Sequence, residues 1–170
     1  MKSDKVSKVT RVFGVFGLLV PIVVFSLVLV AVSQYSGFSW TNKMLSDLGV
    51  GSTATTFNSG LITGGVLMMV FAVGLLIALK RALSRVGAIL LLVDAVFLSL
   101  IGVFTLASGD VHFYVSVAFF ALFPVSLWLI GAGSILAGSK VFGVITIIVG
   151  VLSGIPWVSV LYLIGWAIPE

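Results

Sequence analysis

Charged side chains are almost confined to the breaks between five long apolar runs, and this pattern limits what the chain can fold into more than any motif does. A helix needs about 20 mostly apolar residues to cross the hydrocarbon core of a bilayer. Residues 12–33, 58–79, 86–106 and 113–136 meet that requirement. A fifth run, 141–168, is longer, and Gly154-Ile155-Pro156 divides it into pieces too short to cross alone. The reading is one long helix kinked near Pro156, which membrane helices tolerate; a re-entrant hairpin is the alternative. Five spans are therefore expected in one all-α membrane domain, 1–170.

Composition supports this. Only 8% of the residues are charged and 61% are hydrophobic, against roughly 25% charged in a water-soluble domain. Too little polar surface exists to cover a soluble core, and disorder is excluded by the apolar content. There is no cysteine and a single histidine, which removes disulfides, thiolate chemistry, sulfur-bound metals and any site needing two imidazoles. No phosphate loop, Gly-x-Ser-x-Gly elbow or His-Glu-x-x-His motif is present, so no cofactor or metal is expected. The net charge of +4 comes from scattered cations that form no nucleic-acid patch.

Those cations instead predict orientation. Lys2, Lys5, Lys8, Arg11, Lys80, Arg81, Arg85 and Lys140 fall on one side of the alternation, and only Lys43 on the other. The positive-inside rule then places the chain in the cell membrane with its N-terminus cytoplasmic. The first run has a basic start and a faint cleavage-like Ala31-Val32-Ser33, but it exceeds the roughly 7–15 apolar residues of a signal peptide and reads as an uncleaved span.

Between the first two spans, Trp40, Met44, Leu45 and Leu48 recur at helical spacing after Ser39, a predicted N-cap, and before Gly49. The expectation is an amphipathic helix over 39–49 on the outer surface, with Trp40 at headgroup level. Gly51 to Thr56 reads as a flexible return. Gly60/Gly64 and Gly150/Gly154 are small-residue pairs that let helices approach closely, within one protomer or, as the alternative, between copies in a homo-oligomer.

Two sets of residues are candidates for function. Asp94 is the one acidic residue inside a span, near the bilayer centre, where a charge costs about 2.5–3.5 kcal/mol on the insertion scale. It reads as a proton or cation relay, or as an acid hydrogen-bonded to a neighbour that holds the bundle together. Asp47, Asn58, Asp110 and His112 all fall on the outer side. Together they form a candidate ligand-binding cluster, with Asp47 and His112 as the candidate catalytic pair of carboxylate and imidazole. Each also has a plainer reading. Asp110 is a natural N-cap for the fourth span, Asn58 or Ser59 for the second, and Lys43 and Asp47 are spaced to pair.

Leu45-Ser46-Asp47-Leu48-Gly49, followed by Phe57-Asn58-x-Gly60-Leu61-Ile62, and then Gly102-Val103-Phe104, Gly109-x-x-His112, Phe119-Phe120 and Pro124, resemble domain-of-unknown-function family 998, a group of prokaryotic multi-pass membrane proteins. The resemblance implies a helical bundle, sets Asp47, Asn58 and His112 inside family motifs, and carries no assigned activity. It also implies one more span after an Ile-Pro-Glu-like segment such as Ile168-Pro169-Glu170. The resulting expectation is a multi-pass membrane protein with an outer polar site for a lipid or apolar ligand. A non-catalytic structural or partner-binding module is the alternative, and a small proton-coupled transporter using Asp94 is the third. Membrane lipids are the expected partners, and the sequence leaves open whether the chain is an enzyme.

Overall fold

Inside a bilayer no water is available to the backbone, so each amide must find its partner within its own segment, and a helix is the form that allows this. A computed structural model describes residues 2–163, with side chains described for 10–155. Every apolar run in it is helical: α1 (Lys2–Gln34), α2 (Ala54–Ala78), α3 (Ala82–Val103), α4 (Asp110–Leu136) and α5 (Lys140–Leu163). No strand occurs among the described residues. Four of these helices are long and apolar enough to cross a membrane: Thr10–Gln34 within α1, Gly51–Ala78, Ala82–Val103 and Asp110–Leu136. The 22 residues of α3 reach roughly 33 Å at about 1.5 Å per residue, enough for a hydrocarbon core of about 30 Å.

Helix α5 is one uninterrupted helix that passes through Pro156 to Leu163 and does not reverse there. The expected end of that span at 168, and the segment Ile168-Pro169-Glu170, lie outside the described residues.

The helices pack as consecutive antiparallel pairs, α1 on α2, α2 on α3, α3 on α4 and α4 on α5, with only marginal contact otherwise among the described residues. Glycines set the closest approaches. Gly60 and Gly64 of α2 face Leu27 and Val24 of α1, and Gly150 of α5 faces Trp128 of α4. Both small-residue pairs of the sequence thus begin on a neighbouring helix of the same chain. A Cβ at Gly87 of α3 would sit 2.7 Å from the Ser126 carbonyl oxygen of α4. α3, in the middle of the series, is accordingly the most covered of the candidate spans.

This up-and-down order gathers the chain's charged residues, Asp94 apart, at two ends. One end holds the start of α1, the α2–α3 turn and the α4–α5 turn, with Arg11, Lys80, Arg81, Arg85 and Lys140; it is called the basic end below. The opposite end holds the α1–α2 loop and the α3–α4 turn, with Lys43, Asp47, Asp110 and His112.

The amphipathic helix expected over 39–49 does not form. Residues 40–42 are turn, and only Leu45–Gly49 is helical, as a five-residue 3-10 segment. Ser39 is no N-cap; its hydroxyl shares a 3.0 Å hydrogen bond with that of Thr41. The return to α2 is not a loose linker either, because Gly51–Thr53 is a second 3-10 segment running straight into α2 at Ala54. The reason is tertiary. Leu48, assigned by periodicity to a lipid-facing stripe, is completely buried, which is worth about 1.5–3 kcal/mol for a leucine side chain. A continuous helix from Ser39 would forfeit that burial.

Candidate functional site

The loop between α1 and α2 is held down by three side chains, each bonded to backbone. Asp47 Oδ2 accepts the Met44 N–H at 2.9 Å, while the Asp47 N–H donates to the Met44 carbonyl at 3.1 Å, closing the first turn of the 3-10 segment reciprocally. Thr53, completely buried, donates its hydroxyl to the Leu48 carbonyl at 2.8 Å. Asn58, on the second turn of α2, donates Nδ2–H to the Gly49 carbonyl at 3.0 Å. The Thr53 and Asn58 bonds satisfy carbonyls, and the Asp47 bond an amide, that a short 3-10 segment leaves without partners. A Cβ at Gly49 would sit 2.9 Å from Asn58 Oδ1, so a side chain there would displace the Asn58 amide. Asn58 Oδ1 is itself buried without a hydrogen-bond partner among the described residues.

The α3–α4 turn is fastened in a similar way. α3 ends at Phe104, whose carbonyl lies 2.7 Å from His112 Nδ1. A carbonyl oxygen only accepts, so Nδ1 carries the proton and donates it. His112 therefore satisfies a carbonyl at the C-terminal end of α3 from the first turn of α4, and it is 9% exposed. Gly109 makes the reach possible. Its φ of +58° with ψ of −124° is a conformation open essentially to glycine alone, and it turns the chain back so that the residue three positions on faces Phe104. The 3-10 segments Leu45–Gly49 and Leu106–Ser108 touch one another, so the two fastened turns form one cap over this end of the bundle.

The four candidate residues of this end thus differ in what they do. Asp47, Asn58 and His112 each have a backbone partner, and Asp110 is exposed at the first position of α4. Several of the plainer expectations are corrected. Asp110 is not the N-cap of α4, a position that Gly109 occupies without a side-chain bond. Asn58 caps no helix, since α2 starts four residues earlier and Asn58 reaches sideways to Gly49. Lys43 and Asp47 form no ion pair, because the Asp47 carboxylate is turned to the Met44 amide. Among the described residues no three His, Asp or Glu side chains gather as a metal site needs.

Asp94 is different. It sits about 18 Å along α3 from Ala82, at ~1.5 Å per residue, with zero exposure, and neither of its carboxyl oxygens has a hydrogen-bond partner among the described residues. Seven residues separate it from Gly87, which places both on one helix face to within about 20°. That face meets α4, because Gly87 abuts Ser126 and Ile130 there. The α2-facing side of α3 carries Ala95, Ser99 and Gly102, and Leu98, one turn from Asp94, also reaches Gly64 of α2, so Asp94 lies toward α4 at the edge of the α2 contact. A hydrogen-bonded neighbour that makes Asp94 a tie between helices is thus not observed.

Sequence reasoning missed Thr53 and the role of Gly109. Thr53 lay inside a stretch of small polar residues that composition reads as linker. The signal for Gly109 was present in Gly109-x-x-His112, but only the observed φ gives it a meaning.

No curated protein and no solved structure matches the chain. One family does, described as "Protein of unknown function (DUF998)", over residues 18–169. That span includes both fastened turns, the second half of α1 and all of α2 to α5 as described. The match covers most of the chain, and with four helices long and apolar enough to cross a membrane it fits a multi-pass membrane protein; the chain belongs to the DUF998 family, whose function is unknown.

Proposed function

We propose that this protein is a non-catalytic helical module of the cell membrane, and that its motif residues Asp47, Asn58 and His112 build the cap over one end of the bundle. The observation that supports this is that each of the three is joined to a backbone group at 2.7–3.0 Å. A general base or a ligand anchor needs its polar atoms directed at a reacting group, and the atoms that donate or accept here are directed at the chain itself. The lipid or apolar-ligand site expected at this end has less support, resting on the exposed Asp110 and on Asn58 Oδ1. The N-terminus is cytoplasmic in this reading, supported by the gathering of eight of the nine cations toward the basic end.

The test is a double-mutant cycle on thermal stability with Asp47→Ala and His112→Ala. Two independent fastenings give additive losses, within about 0.3–0.5 kcal/mol. A coupling energy above about 1 kcal/mol would overturn the reading in favour of a shared site.

A second reading rests on Asp94. A carboxyl with two unpartnered oxygens at the middle of a membrane helix is a functional candidate by default, and a proton or cation relay is the activity it suits. Proteoliposomes loaded with a pH-sensitive dye test this. The relay predicts proton flux in the native protein that Asp94→Asn removes, and equal flux in both removes the reading.

A further inference from the structure

We infer that the basic end carries a binding site for the phosphate group of an anionic phospholipid, in the cleft between the α2–α3 turn and the α4–α5 turn. This site is at the opposite end of the bundle from the cap and does not depend on how the cap is read. The cleft has a volume of about 230 Å³ and is lined by Lys80, Arg81, Ser84, Ser134, Ser139 and Phe142. Two helices begin at its edge, α3 at Ala82 and α5 at Lys140. The first turn of α3 has neither a cap from the Arg81 side chain nor an acidic residue, so the positive end of its helix dipole is uncompensated at this edge of the cleft.

The cations supply the charge. Lys80 and Arg81 line the cleft, Arg85 follows one turn into α3, and Lys140 adjoins Ser139. All four are exposed, and among the described residues none forms an ion pair. Among the described residues the one acidic residue at this end is Asp4, at the start of α1, against eight cations. Cations near a membrane surface commonly serve orientation alone. Here two of them border a concave site with a built wall. Arg81 Nη2 donates to the Leu136 carbonyl at 2.8 Å, which fixes the guanidinium at the cleft while leaving its other N–H groups for a phosphate oxygen. Ser134 donates to the Ile130 carbonyl at 2.7 Å, and the Ser139 N–H to the Ser134 carbonyl at 2.9 Å, so the α4–α5 side is equally fixed. Phe142, half of whose surface is exposed, extends the wall along α5 toward the apolar part of the bilayer. A phosphate held by cations next to an apolar wall is the chemistry of a lipid headgroup and its tails, and basic pockets between membrane helices bind such headgroups.

The experiment measures the melting temperature of the full chain in a nonionic detergent with three probes: phosphatidylglycerol, phosphatidylcholine and inorganic phosphate. Phosphatidylglycerol at about a hundredfold excess over its Kd is expected to raise the melting temperature by about 5–10 °C, with phosphatidylcholine giving no comparable rise. Lys80→Gln with Lys140→Gln, two side chains that make no hydrogen bond among the described residues, should abolish the rise. Lys43→Gln, the same kind of charge loss at the other end, should retain it. Lys80→Gln alone should weaken it, and serves if the double variant does not fold. A rise with inorganic phosphate that equals and blocks the lipid's identifies a free phosphate as the source of the same chemistry. The inference is overturned if neither phosphatidylglycerol nor inorganic phosphate raises the melting temperature, if phosphatidylcholine raises it as much as phosphatidylglycerol, if the rise survives loss of Lys80 and Lys140, or if Lys43→Gln removes it equally.

Discussion

Replacing Asp94 by asparagine or alanine separates a carboxyl that ties helices together from one that is buried at a cost. Its side chain has zero exposure, and neither oxygen is partnered. An aspartate at the centre of a membrane helix costs about 2.5–3.5 kcal/mol on the insertion scale. An unpartnered amide of the same shape retains a desolvation cost of about 1–3 kcal/mol, so Asp94→Asn recovers on the order of 1 kcal/mol. Asp94→Ala removes the polar group altogether. It leaves a void of about three heavy atoms, or roughly 30–40 Å³, which at ~24 cal/mol per Å³ costs about 1 kcal/mol. That is less than the charge penalty it relieves, so both variants should match or exceed the native protein in stability. Thermal unfolding of the intact chain in a nonionic detergent is the assay, with about 2–4 °C of melting temperature for each kcal/mol in a chain of this size. A fall of more than about 2 °C in both variants would refute the reasoning, because it would mean that the carboxyl has a stabilising partner at the α3–α4 seam. A gain in stability coupled to loss of proton flux would instead be the trade-off expected of a functional site.

Three further outcomes follow from the cap and the helix seams. Asn58→Asp should destabilise more than Asn58→Ala, since an ionised carboxylate only accepts and would face the Gly49 carbonyl now bonded by Nδ2; the difference is read as melting temperature of the two purified variants, and equal values would remove the donor role. Gly109→Ala should cost about 1–3 kcal/mol through backbone strain at φ +58°, and hydrogen exchange should localise the loosening to the α3–α4 turn rather than to the α1–α2 loop. Gly87→Leu should cost at least about 1–3 kcal/mol by overpacking, because its first added atom meets the Ser126 backbone of α4; thermal unfolding no lower than that of the native protein would show that the seam is looser than described.

The apolar runs alone determined the helices. In hydrocarbon a backbone without water has one local way to satisfy its amides, so run length and charge placement were enough to find α1 to α5, their antiparallel order and the two polar ends. The family resemblance was legible too, since polar residues in apolar context stand out. What they do was not legible. Asp47, Asn58 and His112 are the residue types of a catalytic or ligand cluster, and also those of loop fastening. The choice depends on where the Met44 amide and the Gly49 and Phe104 carbonyls lie in space. The helix read over 39–49 failed because its periodicity was real but short, and burying Leu48 under the cap outweighed extending a marginal surface helix. Likewise, Asp94 was found by its charge, but only the packing of α3 against α4 decided that no neighbour satisfies it. Local chemistry fixes an element when every alternative is costly along its whole length; partners between elements are fixed only when the elements meet.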